Sequence, residues 1–209
     1  MANILQNRFL FICMAKLLKI WIEVRNAFTI DFQRKKTPVF CYGSNGIEQI
    51  RARCKNSKIQ SRAAKLEKFV RIYAGEAPKW DGGGVASILE KDEEDCCVLG
   101  SVVDLSLKEI RRLDFFEGTF FGIYRRVETM AKIQKHGVPG NECLQDETCD
   151  VYIMNDPKYT VAPSEKYLTA CARNIEQYWR DPTQPFSIDI LDERGEKVST
   201  WTKESKKLN

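Results

Sequence analysis

The order of strand-like and helix-like segments most constrains the fold of this chain. Apolar or alternating runs that predict strands outnumber the helical patterns, and the two kinds do not alternate regularly. This order favours an α+β fold, with a closed or partly closed sheet and helices outside it, over a doubly wound sheet. Strands are predicted over residues 39–42, 63–73, 84–89, 98–104, 122–133 and 149–154, and helices over 47–54, 106–117 and 163–179.

Composition sets the class of protein and the number of domains. The 209 residues are 43% hydrophobic, which suffices for one core, and 30% charged, which argues against a membrane protein. The net charge of +4 is spread along the chain, so nucleic-acid binding is not expected. The sequence divides into an N-terminal extension (1–37), a main domain (38–181) and a C-terminal extension (182–209).

The two extensions carry patterns of their own. Residues 1–37 contain an amphipathic, basic helical pattern whose apolar run is too short to span a membrane. It is typical either of an organelle-targeting presequence or of a segment without a targeting role, namely a helix packed on the main domain or an extension of no function, and the second interpretation is favoured. We otherwise expect a cytoplasmic protein. In the C-terminal extension, residues 186–191 and 197–201 flank a turn and predict a β-hairpin.

The cysteines do not indicate a metal site. The chain has eight cysteines without a CxxC pair, and a single histidine, His136. His136, Cys143 and Cys149 share one loop-like stretch, but paired knuckles that would indicate zinc are missing. We therefore expect reduced thiols and no bound metal.

Glu117 is the strongest candidate for a reactive group. Ser106 and Glu109 form a capping-box signature, apolar residues follow at helical spacing, and Gly118 is suited to end that helix. Glu117 then lies at the negative end of the helix dipole, between two phenylalanine pairs. Both effects disfavour the ionised carboxylate. The pattern predicts a general acid/base that works near neutral pH.

Three other segments can converge on Glu117. The sequence Tyr42-Gly43-Ser44-Asn45-Gly46 leaves a strand and enters a helix, which suits either a carboxylate-binding loop or a plain helix start capped by Ser44 or Asn45. A glycine run, 82–84, precedes the next strand and could present bare backbone to a ligand. Tyr152 and Tyr167 follow on a buried strand and a helix, as pocket residues or ordinary core tyrosines.

These motifs together resemble the γ-glutamylcyclotransferase family, which includes γ-glutamylamine cyclotransferases and plant avirulence-induced-gene homologues. The resemblance rests on YGSN after a strand, WDGGGVASI, LDxxEGxxxGxY, and VYIM followed by PSxxY, in this order over residues 39–179. It implies a mixed β-barrel with flanking helices that uses no cofactor. Gly46 and Asp81 depart from the family pattern and could alter the pocket.

The resemblance also implies roles for individual residues. Glu117 matches the catalytic glutamate, and Tyr42, Gly43, Ser44 and Asn45 match the substrate-cradling loop. The remaining matches to pocket residues are Gly83, Tyr124, Tyr152 and Tyr167.

The reaction implied is the release of 5-oxoproline from a small γ-glutamyl substrate, whose α-amine attacks its own γ-carbonyl. The leading hypothesis is a γ-glutamylcyclotransferase acting on γ-glutamyl amino acids or peptides. The alternatives are a γ-glutamylamine cyclotransferase that releases a lysine amine, and a non-catalytic binding protein that keeps the fold. The oligomeric state stays open between a monomer and a homodimer.

Overall fold

The computed structural model describes residues 2–28, 36–135, 143–157, 161–181, 183 and 185–203, with side chains from residue 11 onward. His136, which belonged to the zinc alternative, lies outside these ranges.

A closed five-stranded barrel forms the centre of the fold, in the order β1-β5-β2-β6-β7. All pairings are antiparallel except that of β1 with β7, which closes the barrel through Val39↔Asp150 and Phe40↔Val151. The predicted mixed barrel with flanking helices is thereby confirmed. Its strands are β1 (Thr37–Cys41), β2 (Ser61–Glu67), β5 (Cys97–Leu105), β6 (Tyr124–Gln134) and β7 (Leu144–Met154).

A second sheet lies beside the barrel in the order β4-β3-β8-β9. It consists of β3 (Phe69–Ala74), β4 (Val85–Glu90), β8 (Ser187–Leu191) and β9 (Lys197–Thr202). The predicted C-terminal hairpin forms as β8 and β9, and it joins the sheet where Ile72 of β3 pairs in parallel with Leu191. Ile188 of β8 is buried in the main hydrophobic core, so the hairpin packs against the main domain.

The single strand predicted over residues 63–73 is wrong, because β2 and β3 belong to different sheets. The chain breaks at Lys68, whose φ of 62° no regular strand allows. Apolar alternation continues through both strands, so the periodicity alone does not reveal the bend.

In the part of the chain that the structure describes, four α-helices flank the sheets: α1 (Ala2–Phe28), α2 (Ile47–Cys54), α3 (Leu107–Phe116) and α4 (Glu165–Trp179). Short 3₁₀ turns lie at Pro78–Trp80 and Thr119–Phe121. The predicted apolar face of α4 is confirmed, with Leu168, Cys171 and Ile175 buried. Strand β1 is buried on both faces: Phe40 contributes to the core shared with α4, and Val39 to the core under α2 and α3.

The N-terminal helix packs on the main domain, which is one form of the favoured interpretation. Ile22 is buried, Glu23 forms a 2.8 Å ion pair with Arg112 of α3, and Asn26 Nδ2 donates to the Lys108 carbonyl at 3.2 Å. Within the described residues, no helix combines the length and the apolar character that crossing a bilayer requires.

Candidate active site

A cavity of about 340 Å³ opens between the loop after β1, the 76–80 segment and the C-terminal end of α3. Eight of the nine residues predicted for the site line it, although they come from five separate parts of the chain. They are Tyr42, Gly43, Ser44, Asn45, Glu117, Tyr124, Tyr152 and Tyr167.

Glu117 lies where α3 ends, and the chain then reverses through Gly118 in the left-handed conformation (φ 66°), as predicted. The Glu117 side chain is only 12% exposed. Its Oε1 accepts hydrogen bonds from Asn45 Nδ2 at 2.9 Å and from Arg53 Nη1 at 2.7 Å. No residue in the described ranges donates to Oε2, so one carboxylate oxygen is fixed and the other is left for a ligand.

The surroundings of Glu117 include a cation as well as the predicted phenylalanines. Arg53 supplies a positive charge, and its guanidinium lies 5.2 Å from the centre of the Phe116 ring. Because a lone carboxylate is costly to bury, this cation offsets the desolvation that the phenylalanines impose. The local patterns that predicted the position of Glu117 could not predict this contact, because Arg53 lies 64 positions away in the chain.

The loop after β1 is held in place from behind by Asn174 of α4. The buried Asn174 donates from Nδ2 to the carbonyls of Cys41 (3.0 Å) and Gly43 (3.2 Å), and its Oδ1 accepts from Ser101 at 2.9 Å. These bonds fix the carbonyls of the loop to α4. Among the described residues, none accepts a hydrogen bond from the backbone N–H groups of Gly43, Ser44 and Asn45.

Helix α2 does not use Ser44 or Asn45 as its N-cap, so that alternative is wrong. The N-cap is Gly46, which has no side chain to cap with. The Asn45 side chain is instead committed to the Glu117 network, where its Oδ1 accepts from Gln49 at 2.9 Å and from Arg53 at 2.7 Å.

The four tyrosines line one side of the cavity, called here the tyrosine floor, and hydrogen bonds to main-chain groups connect them in two pairs. Tyr42 donates to the Tyr152 carbonyl at 2.6 Å, and Tyr124 donates to the Ala86 carbonyl at 2.8 Å. The Tyr167 hydroxyl accepts from the Ala86 amide at 2.8 Å. Burial raises the pKa of each of these tyrosines above its ordinary value, so all four stay neutral.

Tyr152 has a further partner on α3. Its hydroxyl donates to Asp114 Oδ1 at 2.7 Å. Burial and the negative charge of Asp114 both raise the Tyr152 pKa. The bond therefore anchors the floor to α3, the helix that delivers Glu117.

Gly83 is the one predicted site residue that does not line the cavity. A Cβ at this position would lie 2.5 Å from the backbone nitrogen of Ser164. The absence of a side chain therefore lets the glycine run pack against the start of α4, rather than approach a ligand.

Sequence reasoning missed Arg53, Gln49 and Asn174. Asn45, Gln49 and Arg53 are spaced four residues apart, which places them on one side of α2 and its entry. A polar stripe continuing from the loop into the helix was the available signal. No local pattern indicated a role for Asn174, because the carbonyls to which it donates lie more than 130 positions away in the chain.

Solved structures resemble this fold at low sequence identity. One described as a gamma-glutamyl cyclotransferase is 22% identical, with a TM-score of 0.57, over 69% of this chain and 81% of the other. An uncharacterised human protein is also 22% identical, with a TM-score of 0.59, over 72% and 84%. The Bacillus subtilis protein YkqA is 17% identical, with a TM-score of 0.56, over 72% and 51%. These likenesses establish the fold.

The family is established by the sequence itself. No protein of curated function matches the chain significantly. A family model described as gamma-glutamyl cyclotransferase, AIG2-like, matches residues 39–170, which begin in β1, end in α4 and include Glu117. The chain therefore belongs to the AIG2-like gamma-glutamyl cyclotransferase family.

Proposed function

We propose that this protein is a γ-glutamylcyclotransferase that releases 5-oxoproline from γ-glutamyl amino acids or peptides. Membership of the family supports an enzyme of the γ-glutamyl cyclotransferase type. The observation that carries the proposal is the Glu117 carboxylate, which is held through Oε1 and faces a cavity of about 340 Å³ lined by unpaired backbone amides.

The proposed reaction rearranges bonds without a change of oxidation state. The α-nitrogen of the substrate forms a bond to its own γ-carbonyl carbon, and the bond from that carbon to the leaving nitrogen breaks. The α-ammonium loses two protons in becoming the single N–H of the lactam, and the leaving nitrogen gains two and departs as an ammonium. Folding the substrate into a ring-closing geometry can contribute up to about 7–11 kcal/mol.

Glu117 is the group proposed to carry these protons, one at a time. Oε2 is the oxygen without a protein donor, so it can accept a proton from the α-nitrogen before the attack and again after it, and return each to the leaving nitrogen. Because Oε1 is fixed by two donors, the carboxylate plane stays oriented while Oε2 changes protonation.

The loop amides are the groups proposed to bind negative charge. The N–H groups of Gly43, Ser44 and Asn45 border the cavity and suit the substrate α-carboxylate or the oxyanion that develops at the γ-carbonyl. The neutral tyrosines supply a rigid, largely apolar floor. It limits the water that reaches the reacting atoms.

The test is the release of 5-oxoproline by the purified full chain from γ-glutamyl dipeptides, glutathione and γ-glutamyl-ε-lysine. If only the lysine compound is turned over, the γ-glutamylamine alternative is correct. If none of these compounds is turned over, the proposed function is wrong and the non-catalytic alternative is favoured.

Glu117→Gln keeps the shape of the side chain and removes the base. We expect 5-oxoproline release to fall by about 10²–10⁴-fold. Glu128→Gln, at an exposed carboxylate on β6, is the matched control and should keep full activity. A Glu117→Gln variant that turns over substrate at the wild-type rate would refute the proposed role.

A further inference from the structure

A second, larger cavity adjoins the candidate site along the outer side of α4. It has a volume of about 850 Å³ and runs between the first turn of α2 and the face of α4 from Glu165 to Gln177. We refer to it as the α4 groove. Ser44 and Trp80 line both the groove and the site cavity, so the two spaces adjoin at these residues.

The α4 groove opens beside the reactive carboxylate. Gln49 lines the groove and donates from Nε2 to Asn45 Oδ1 at 2.9 Å. Asn45 in turn donates to Glu117 Oε1 at 2.9 Å. A substrate whose γ-carbonyl is at Glu117 can therefore extend past Ser44 into the groove without crossing the tyrosine floor.

Five charged residues line the groove: the cations Lys166 and Arg173 and the carboxylates of Glu48, Asp81 and Glu165. Lys166 pairs with Asp81 at 3.6 Å, and Glu165 accepts a hydrogen bond from Trp201 Nε1 at 2.6 Å. Glu48 lies on the α2 side. Arg173 is exposed and forms no ion pair or hydrogen bond with any residue in the described part of the chain.

Arg173 and Gly46, which follows the loop after β1, line the same groove. The residue after Arg173, Asn174, bonds to the Gly43 carbonyl at 3.2 Å, and its Cβ lies 3.9 Å from where a Cβ on Gly46 would be. Thr169 and Ala170, which have small side chains, also line the groove.

We propose that the α4 groove binds the leaving group of γ-glutamyl peptides and that Arg173 binds its C-terminal carboxylate. The guanidinium fork matches a carboxylate in geometry and charge. The inference rests on the proposed function and deepens it: the substrate class becomes a γ-glutamyl group attached to a peptide of two or more residues.

The test uses γ-glutamyl peptides with one, two or three glycines, each with a free or an amidated C-terminus. For the wild type we expect kcat/KM to rise with length and to be higher for the free acid in the longer peptides. Since Arg173 is exposed, the pair should contribute at most about 1 kcal/mol, and Arg173→Ala should lower kcat/KM for the long free acid by up to about fivefold. The amidated peptides should be unaffected.

Two further variants sharpen the test. Arg173→Glu should lower kcat/KM for the free acids more than Arg173→Ala does, and added salt should reduce the difference. Arg180→Ala removes an exposed cation at the other end of α4, outside the groove, and should change nothing.

The possible outcomes separate this inference from the proposed function. If 5-oxoproline is released but Arg173→Ala leaves the ratio of free acid to amide unchanged at every length, the groove assignment is wrong. If no γ-glutamyl compound yields 5-oxoproline, the proposed function fails and this inference fails with it.

Discussion

Replacing Arg53 by alanine removes the cation that fixes the Glu117 carboxylate. Arg53 Nη1 lies 2.7 Å from both Glu117 Oε1 and Asn45 Oδ1, and the two ionised side chains are 16% and 12% exposed. Taking one partner from a fully buried ion pair costs about 3–5 kcal/mol. The remaining exposure lowers that cost, and we expect the free energy of unfolding to fall by about 2–3 kcal/mol.

This loss should be visible in thermal unfolding. For a chain of this size, 1 kcal/mol corresponds to roughly 2–4 °C in Tm, so Arg53→Ala should lower the Tm by about 4–12 °C. The control is Lys58→Ala, which removes an exposed cation just beyond α2. It should change the free energy of unfolding by no more than about 0.5 kcal/mol.

The same substitution should reduce turnover more than substrate binding. Without Arg53 the carboxylate keeps only the Asn45 bond and can rotate, and misplacing a reacting group by about 1 Å can cost about 10²-fold. We expect kcat for 5-oxoproline release to fall by about 10–100-fold with little change in KM. Arg53→Lys should restore part of the stability and less of the rate, because an ammonium cannot reproduce the guanidinium geometry.

A double-mutant cycle can refute this reasoning. In the Glu117→Gln background, Arg53→Ala should cost at least about 1 kcal/mol less than in the wild type, because the ion pair is already lost. Additive effects on unfolding, or an unchanged kcat in Arg53→Ala, would show that Arg53 does not position Glu117.

Two further predictions concern stability. Hydrogen bonds from Arg112 and Lys55 lower the pKa of the Glu23 carboxyl from 4.5 to about 2, so its stabilising effect should be complete above pH 4.5 and decline as the pH falls toward 2. Denaturant unfolding across this range should show a smaller acid-side loss in Glu23→Gln, and an unchanged profile would contradict the assignment. Gly83→Ala would place a Cβ 2.5 Å from the Ser164 backbone and should destabilise the fold by about 1–3 kcal/mol with KM nearly unchanged. A raised KM with an unchanged Tm would instead indicate that Gly83 lies in the substrate pocket.

Short-range rules were sufficient for much of the framework. Helix α2 begins and ends as its pattern predicted, α3 stops where Gly118 turns left-handed, and the apolar face of α4 is buried. The C-terminal hairpin also forms around its predicted turn. Each of these features depends on interactions within a few residues, namely caps, positive-φ glycines and side-chain periodicity. Such local interactions can be predicted from the sequence.

The tertiary structure decided what surrounds the carboxylate. Arg53 reaches Glu117 only because α2 and α3 pack on the same side of the barrel, and Asn174 holds the Gly43 loop only because α4 lies behind it. It also separated β2 from β3 at Lys68 and placed Gly83 against Ser164. These contacts join residues far apart in the chain, and no local propensity encodes them. The sequence by itself therefore determined which glutamate ends α3, whereas barrel closure decided which charges and donors that glutamate meets.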